Sequence, residues 1–213
     1  MLIKWFGECS FLLQDSLGRR ILTDPPSTIS IDTLLDLNPN IITLSHYYSD
    51  TTNAKINAKK VMLADKASSY KLNFVNISGF PSFQDNSQGR KRGPNIIYNY
   101  VFDNLKICNL GYLGHDLPDD ILRSIESIDI LFIPVGGHFT LNSTEAIKLV
   151  HKIKPKVIIP MNYKTTNSLI YLDSCKNFIT SIKSVIKTTK NSLDTKTLNS
   201  YPVTILLKET KMN

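Results

Sequence analysis

Ile41-Ile42-Thr43-Leu44-Ser45-His46-Tyr47-Tyr48-Ser49-Asp50-Thr51 passes from an apolar run into hydroxyls, one imidazole and one carboxylate. Ile41–Ser45 reads as a buried strand, because a short, largely apolar and β-branched run suits a sheet covered on both faces. His46–Asn53 reads as the polar loop that leaves it. Toward the N-terminus the pattern stays strand-rich. Leu2–Phe6 and Ser10–Gln14 flank Gly7, and Arg20–Thr23 follows the turn Ser16-Leu17-Gly18. Asp24-Pro25-Pro26 ends that strand, since proline cannot continue a ladder. Ile31–Leu37 reads as a short helix.

Toward the C-terminus, Lys60–Ala64 and Leu72–Ile77 read as strands, and Asp85–Pro94 as a charged loop rich in turn formers. Asn95–Phe102 and Leu105–Leu110 form a hairpin across Asp103-Asn104, a dipeptide that tolerates positive φ. Strand–helix alternation follows: helix Asp119–Glu126, strand Ile130–Val135, helix Ser143–Lys152, strand Lys156–Pro160, helix Ser174–Lys183 and strand Tyr201–Leu207. Asn142 with Glu145 makes a capping box at the start of the second of these helices. The chain reads as one α/β domain over residues 1–213, its sheets covered by helices.

The composition narrows the function classes. With 42% hydrophobic and 20% charged residues, the chain can bury a core and is not globally disordered. The net charge of +7 is uneven. From His151 onward there are eleven Lys, no Arg and three acids, a local +8 that leaves −1 for the first 150 residues. Such a surface can meet an acidic partner or nucleic acid. No aromatics interleave with the lysines as a base-stacking platform requires, so a solvated lysine face is the simpler reading. Cys9, Cys108 and Cys175 are isolated and odd in number, which fits no disulfide framework or cysteine zinc site and suits a reducing, cytoplasmic setting. There is no signal-peptide pattern and no apolar run of the ~20 residues that span a bilayer, so no membrane partner is expected.

Seven stretches, in order, resemble the metallo-β-lactamase superfamily, and its small lactonase-like branch similar to the ascorbate-6-phosphate lactonases. They are Lys4–Phe11, Ile21–Pro25, Thr43–Asp50, Gln88–Asn95, Ile107–His115, Ile133–Thr140 and Ile158–Thr165. The resemblance implies a four-layer αββα sandwich with a metal pocket on loops at one edge. It also implies zinc, which lowers the pKa of a bound water to about 7 so that the hydroxide attacks an ester, lactone or phosphodiester.

The same resemblance marks where the ligands depart. Relative to Ser-His-x-His-x-Asp-His, the loop keeps His46 and Asp50 but has Tyr48 and Thr51 in place of histidines. Gln84, before Asp85, stands for a histidine, Tyr112 for the bridging aspartate, Asn162 for the last histidine, and Glu8 for an early one. Amides and protonated hydroxyls are poor zinc donors. The expectation is therefore a degenerate pocket lined by Glu8, His46, Tyr48, Asp50, Thr51, Gln84, Asp85, Tyr112 and Asn162, with no metal. The corresponding function is that of a pseudoenzyme binding a small molecule or protein without hydrolysis. Two alternatives stand beside it: a divergent metal-dependent hydrolase of lactone, ester or phosphoester bonds, and a nucleic-acid-binding relative. His46, oriented by Asp50, is the candidate general base. Glu8, Asp50, Gln84 and Asp85 form an oxygen-rich set for weak Mg²⁺ or Ca²⁺. His115 and His138 read as loop histidines, His151 as surface, Gly111 and Gly136-Gly137 as backbone geometry, and Arg90-Lys91-Arg92 as a solvated basic loop or an anion trap at the pocket mouth.

Overall fold

The computed structural model describes residues 1–26, 29–48, 50–168, 170–198 and 201–209, with the side chains of residues 50–52 left outside the description. Strands are numbered in chain order. One sheet holds β1 (Leu2–Gly7), β2 (Ser10–Gln14), β3 (Arg20–Thr23), β4 (Ile41–Thr43), β5 (Met62–Ala64) and β13 (Ser192–Asp194), in the order β13-β1-β2-β3-β4-β5. The other holds β6 (Ser69–Lys71), β7 (Val75–Phe83), β8 (Pro94–Phe102), β9 (Leu105–Asn109), β10 (Ile130–Pro134), β11 (Val157–Met161), β12 (Val185–Lys187) and β14 (Val203–Leu206), in the order β12-β14-β11-β10-β9-β8-β7-β6. β3, β4 and β5 pair in parallel, as do β9, β10, β11, β14 and β12, whereas β1–β2–β3 and β6–β7–β8–β9 are antiparallel.

The sheets pack face to face. The rings of Phe11 on β2 and Phe132 on β10 stack with centroids 4.1 Å apart, and Trp5, Tyr98 and Tyr100 fill the same layer. Each such fully buried aromatic contributes about 2 kcal/mol of burial energy. Helices α1 (Ile31–Leu35) and α2 (Asp50–Ala58) cover the outer face of the first sheet, where Phe6, Leu12, Leu22 and Ile42 meet Leu34, Leu35 and Ile56. Helices α3 (Asp119–Ser124), α4 (Ser143–Ile153) and α5 (Lys176–Ser181) cover the second. The layers are helix, sheet, sheet, helix, the αββα sandwich that the resemblance implies. Among the described residues no helix is long and apolar enough to cross a membrane.

Local chemistry explains both the agreements and the differences. Asp103 and Asn104 join β8 to β9 with φ of 53° and 61°. α4 carries the capping box, with Asn142 Oδ1 accepting from Glu145 N and Glu145 Oε2 accepting from Asn142 N. The stretch expected as the loop His46–Asn53 turns into α2 at Asp50. It lacks apolar periodicity and buries only Ile56 completely among its described side chains, so sequence patterning gave no helical signal. The strand expected at Leu72–Ile77 starts at Val75 and runs on to Phe83 through Pro81. Proline is tolerated there because β6 pairs only as far as Ser78, leaving that edge without a ladder bond to lose.

Two contacts fix the end of β4. The Tyr98 hydroxyl donates to Ala64 O (2.8 Å) and reaches Leu44 O (3.2 Å), while Thr43 Oγ1 and Tyr100 Oη lie 2.7 Å apart. Phenols of one sheet thus tie down the strand end of the other from which Ser45 and His46 emerge.

Candidate active site

Four strand ends converge on one edge of the sandwich. The β1–β2 hairpin turns through Gly7 and Glu8, both at positive φ (99° and 46°), and presents the Glu8 carboxylate. Its backbone is held by Asn162 N and Trp5 Nε1, which donate to Glu8 O at 3.0 and 3.2 Å. Beyond β3, Asp24 is fully buried, and its Oδ1 accepts from Ser45 N at 2.7 Å. Beyond β4, His46 places Nδ1 3.4 Å from Ser45 Oγ. Beyond β9, Tyr112 is held by its N–H donating to Asn95 Oδ1 (2.8 Å), and its hydroxyl donates to Glu8 Oε2 (3.2 Å). Gly111 is required at this turn. At φ +57°, a Cβ there would stand 2.6 Å from Ser45 Cβ and 2.7 Å from Asn95 Oδ1.

The His46 ring lies between two phenols, 4.7 Å from Tyr48 and 4.6 Å from Tyr112. This packing removes it from water and pulls its pKa down to about 4, so it is a neutral imidazole at pH 7. Burial raises both phenols well above the ordinary tyrosine range, so they stay protonated donors. Asp24 moves the opposite way to His46: burial, reinforced by the Glu8 charge, pushes it up to about 7 although Ser45 favours its charged form. Its Oδ2 has no hydrogen-bond partner among the described residues, and neither does the buried Asn162 Oδ1. Burial also raises the Cys9 thiol, helped by Asp24 and Glu8, which argues against a thiolate nucleophile.

Of the residues expected to line the pocket, Glu8, His46, Tyr48 and Tyr112 come together, and Asn162 joins them through its backbone bond to Glu8. Gln84 and Asp85 do not join this set. Gln84 Nε2 donates to Pro94 O, and both Asp85 oxygens are taken up by amides of their own loop. The side chains of Asp50 and Thr51 lie outside the described residues. Sequence reasoning missed Asp24 and Ser45 as members of the site. The available signal was a carboxylate closing an apolar strand immediately before two prolines.

A sandwich of this kind with an imidazole and carboxylates on strand-end loops defines the class of metallo-β-lactamase-fold proteins. The chain belongs to the beta-lactamase superfamily domain family, whose model matches residues 2–162. A UPF0173 metal-dependent hydrolase of Pyrobaculum islandicum is 26% identical over 192 residues, covering 78% of this chain and 85% of that protein. One from Desulforamulus reducens is 27% identical over 198 residues, with the same coverage. A solved structure from Thermotoga maritima, described as a Zn-dependent hydrolase of the metallo-beta-lactamase superfamily, is 28% identical with a TM-score of 0.78, covering 98% of this chain and 99% of that one. These relatives overturn the expectation of a non-hydrolytic pseudoenzyme, since the similar proteins carry hydrolase names and nothing shows a pure binding role.

The donor set differs from what a zinc ion needs. Among the described residues no three His, Cys, Asp or Glu side chains converge to hold a metal. At the neighbouring positions the donors are two protonated phenols and an amide, which bind zinc poorly. The described residues do not fit the ion, and no chemical step is assigned to one.

Proposed function

We propose that the chain is a divergent hydrolase of lactone, ester or phosphoester bonds, acting at the strand-end cluster of Glu8, His46, Tyr48 and Tyr112. The observation that carries this reading is a neutral histidine, packed between two phenols and backed by Ser45, on the loop where the family places its chemistry. With Nδ1–H directed at Ser45 Oγ, Nε2 is left with its lone pair. It accepts the proton of a water as that oxygen attacks the carbonyl or phosphoryl centre, then returns the proton to the departing oxygen. Tyr48 keeps its proton and supplies a hydrogen-bond donor to negative charge developing on the substrate, while the Tyr112 hydroxyl donates to Glu8 and fixes that carboxylate beside the histidine. The hydrolase names of the relatives support the reaction class, and the three free thiols support a reducing compartment.

The test is turnover of p-nitrophenyl acetate, dihydrocoumarin and bis(p-nitrophenyl) phosphate, with the protein stripped by chelator and then supplemented with Zn²⁺, Mn²⁺ or Mg²⁺. One class is expected to turn over above background, with His46→Ala lowering kcat/KM by about 100-fold or more. The base form of His46 sets the acid limb, so kcat/KM rises through pH of about 4. Absence of turnover under every metal condition, or full activity in His46→Ala, overturns the reading.

A further inference from the structure

A cavity of about 770 Å³ opens at the opposite end of β11 from the candidate site. Ile158 of β11 lines it, while Asn162 follows the other end of the strand, about 13 Å away at ~3.3 Å per residue. Its floor is apolar: Val150 and Ile158 from the core, with Pro155, Ile182 and Pro202. Its rim is basic: Lys154 at the end of α4, Lys183 after α5, and Lys156, with His151 beside them. Among the described residues no Asp or Glu lines it. Lys156 is partly neutralised by Asp129, its Nζ lying 2.7 Å from Oδ1. Lys154 and Lys183 are exposed and form no ion pair among the described residues.

Two simpler accounts explain only part of this. Basic side chains in the last turn of a helix complement its negative end, which accounts for His151 and Lys152 on α4. Lys183 stands just past the C-cap of α5, so the same effect favours a lysine there, but it does not account for two helix ends bringing their lysines to the rim of one apolar floor. A solvated lysine face explains the charge excess of the C-terminal third but does not require a concave apolar surface beneath it. An apolar pocket with a few convergent polar groups is the usual form of a small-molecule site.

We propose that this groove is a second binding site, separate from the hydrolytic one, for a small amphiphile with an apolar chain and a single anionic headgroup, a carboxylate held between Lys154 and Lys183. The chain lies on Val150, Ile158 and Ile182, and the charge faces the lysines. This inference stands independently of the hydrolase reading, because no residue of the groove belongs to the His46 cluster.

The probe is decanoate, with decylamine as the opposite-charge control, both titrated into the full chain below their micelle concentrations by calorimetry. Decanoate is expected to bind saturably and at least about tenfold more tightly than decylamine. The double variant Lys154→Glu/Lys183→Glu is expected to weaken decanoate by about tenfold or more with an unchanged melting curve. His46→Ala should bind decanoate as the wild type does, which keeps this result distinct from the fate of the hydrolase reading. Should the double variant fail to fold, the acid-against-amine comparison on the wild type decides. Equal binding of acid and amine, unchanged decanoate affinity in the folded double variant, or no saturable decanoate binding overturns the proposal.

Discussion

Asp24 and Asp85 are both nearly inaccessible to solvent, at 0% and 5% exposure, yet their carboxyls behave in opposite ways. Burial pushes Asp85 up, but backbone bonds outweigh it. Oδ1 accepts from Ser87 N and Gly89 N (2.7 and 3.0 Å), Oδ2 accepts from Arg92 N and Lys91 N (2.8 and 3.1 Å), and the carboxyl ends below its usual range. Asp24 has one strong partner, Ser45 N, and an unpartnered Oδ2, so burial wins and it rises to about 7. Depth and the number of donors both separate them: Asp24 lies deep under the sandwich edge with one strong donor, whereas Asp85 sits in a surface loop with four. The saturated carboxylate organises a loop, while the unsaturated one stores a proton beside the neutral His46.

The largest expected effect tests the stored proton. An unfolded aspartate titrates near 4, whereas folded Asp24 titrates near 7. The native state therefore holds the proton more tightly, and its advantage, full below about pH 4, is lost as pH rises through 7. The total is about 4 kcal/mol. Asp24→Asn keeps the oxygen that accepts from Ser45 and removes the titration, so its stability should lose this fall in urea melts from acid to mildly alkaline pH. His46 acts with the opposite sign. Its folded pKa of about 4 lies below the unfolded value, so its contribution is present above about 6.5 and is lost as pH falls toward 4. The two offset one another in that window, and His46→Ala should steepen the fall that Asp24 causes. An unaltered pH slope in Asp24→Asn would show that the carboxyl is satisfied after all.

Next in size is Gly111→Ala. It sets a Cβ against Ser45 and Asn95 at a positive φ, costing about 2–3 kcal/mol, and shifts the loop carrying both Ser45 and His46. Gly18→Ala is the control: it also has positive φ, but nothing lies within 4 Å of the new atom, so the cost is about 1 kcal/mol. Urea midpoints separate the two, and the hydrolysis proposed for the His46 cluster should fail only in the first.

The strands that face other structure on both sides, β4, β10 and β11, were legible because burial on two faces demands an uninterrupted apolar run. The Asp103-Asn104 hairpin and the Asn142 cap were legible because each depends on residues adjacent in sequence. The edge strands β6, β12 and β13 have three residues each, too few to show a period, and α2 buries too little to show one. At the site, Glu8, His46, Tyr48 and Tyr112 were found by their place in family-like stretches. The role of Asp24 was not, because a raised carboxyl depends on how many donors reach it, which only three-dimensional structure decides. Asp85 was assigned to the pocket by analogy, although Asp85-Asn86-Ser87 followed by Gly89 is the local pattern of a side chain bonding its own backbone.

The saturated carboxylate yields the finer test. In Asp85→Asn one oxygen remains and the other becomes a donor, so half of the four-amide set is lost. If Oδ1 keeps its place, the amides of Lys91 and Arg92 should exchange faster with deuterium while those of Ser87 and Gly89 stay protected. Uniform loss would mean that the loop folds as one unit around the charge. The smallest effect lies at the far side of the same loop, where the Arg92 guanidinium sits 4.2 Å from the centroid of the Phe139 ring. Both groups are exposed, so their coupling should be about 0.5 kcal/mol, read from a double-mutant cycle of Arg92→Met and Phe139→Leu. A coupling of zero would leave the basic loop held by Asp85 and by its bonds to Gln84, whereas a measurable value would add an anchor on the Gly136–Thr140 turn. That turn packs against Asn162, with Thr140 Oγ1 accepting from Asn162 Nδ2 at 3.2 Å, so an anchor there would tie the basic loop mechanically to the edge of the His46 cluster.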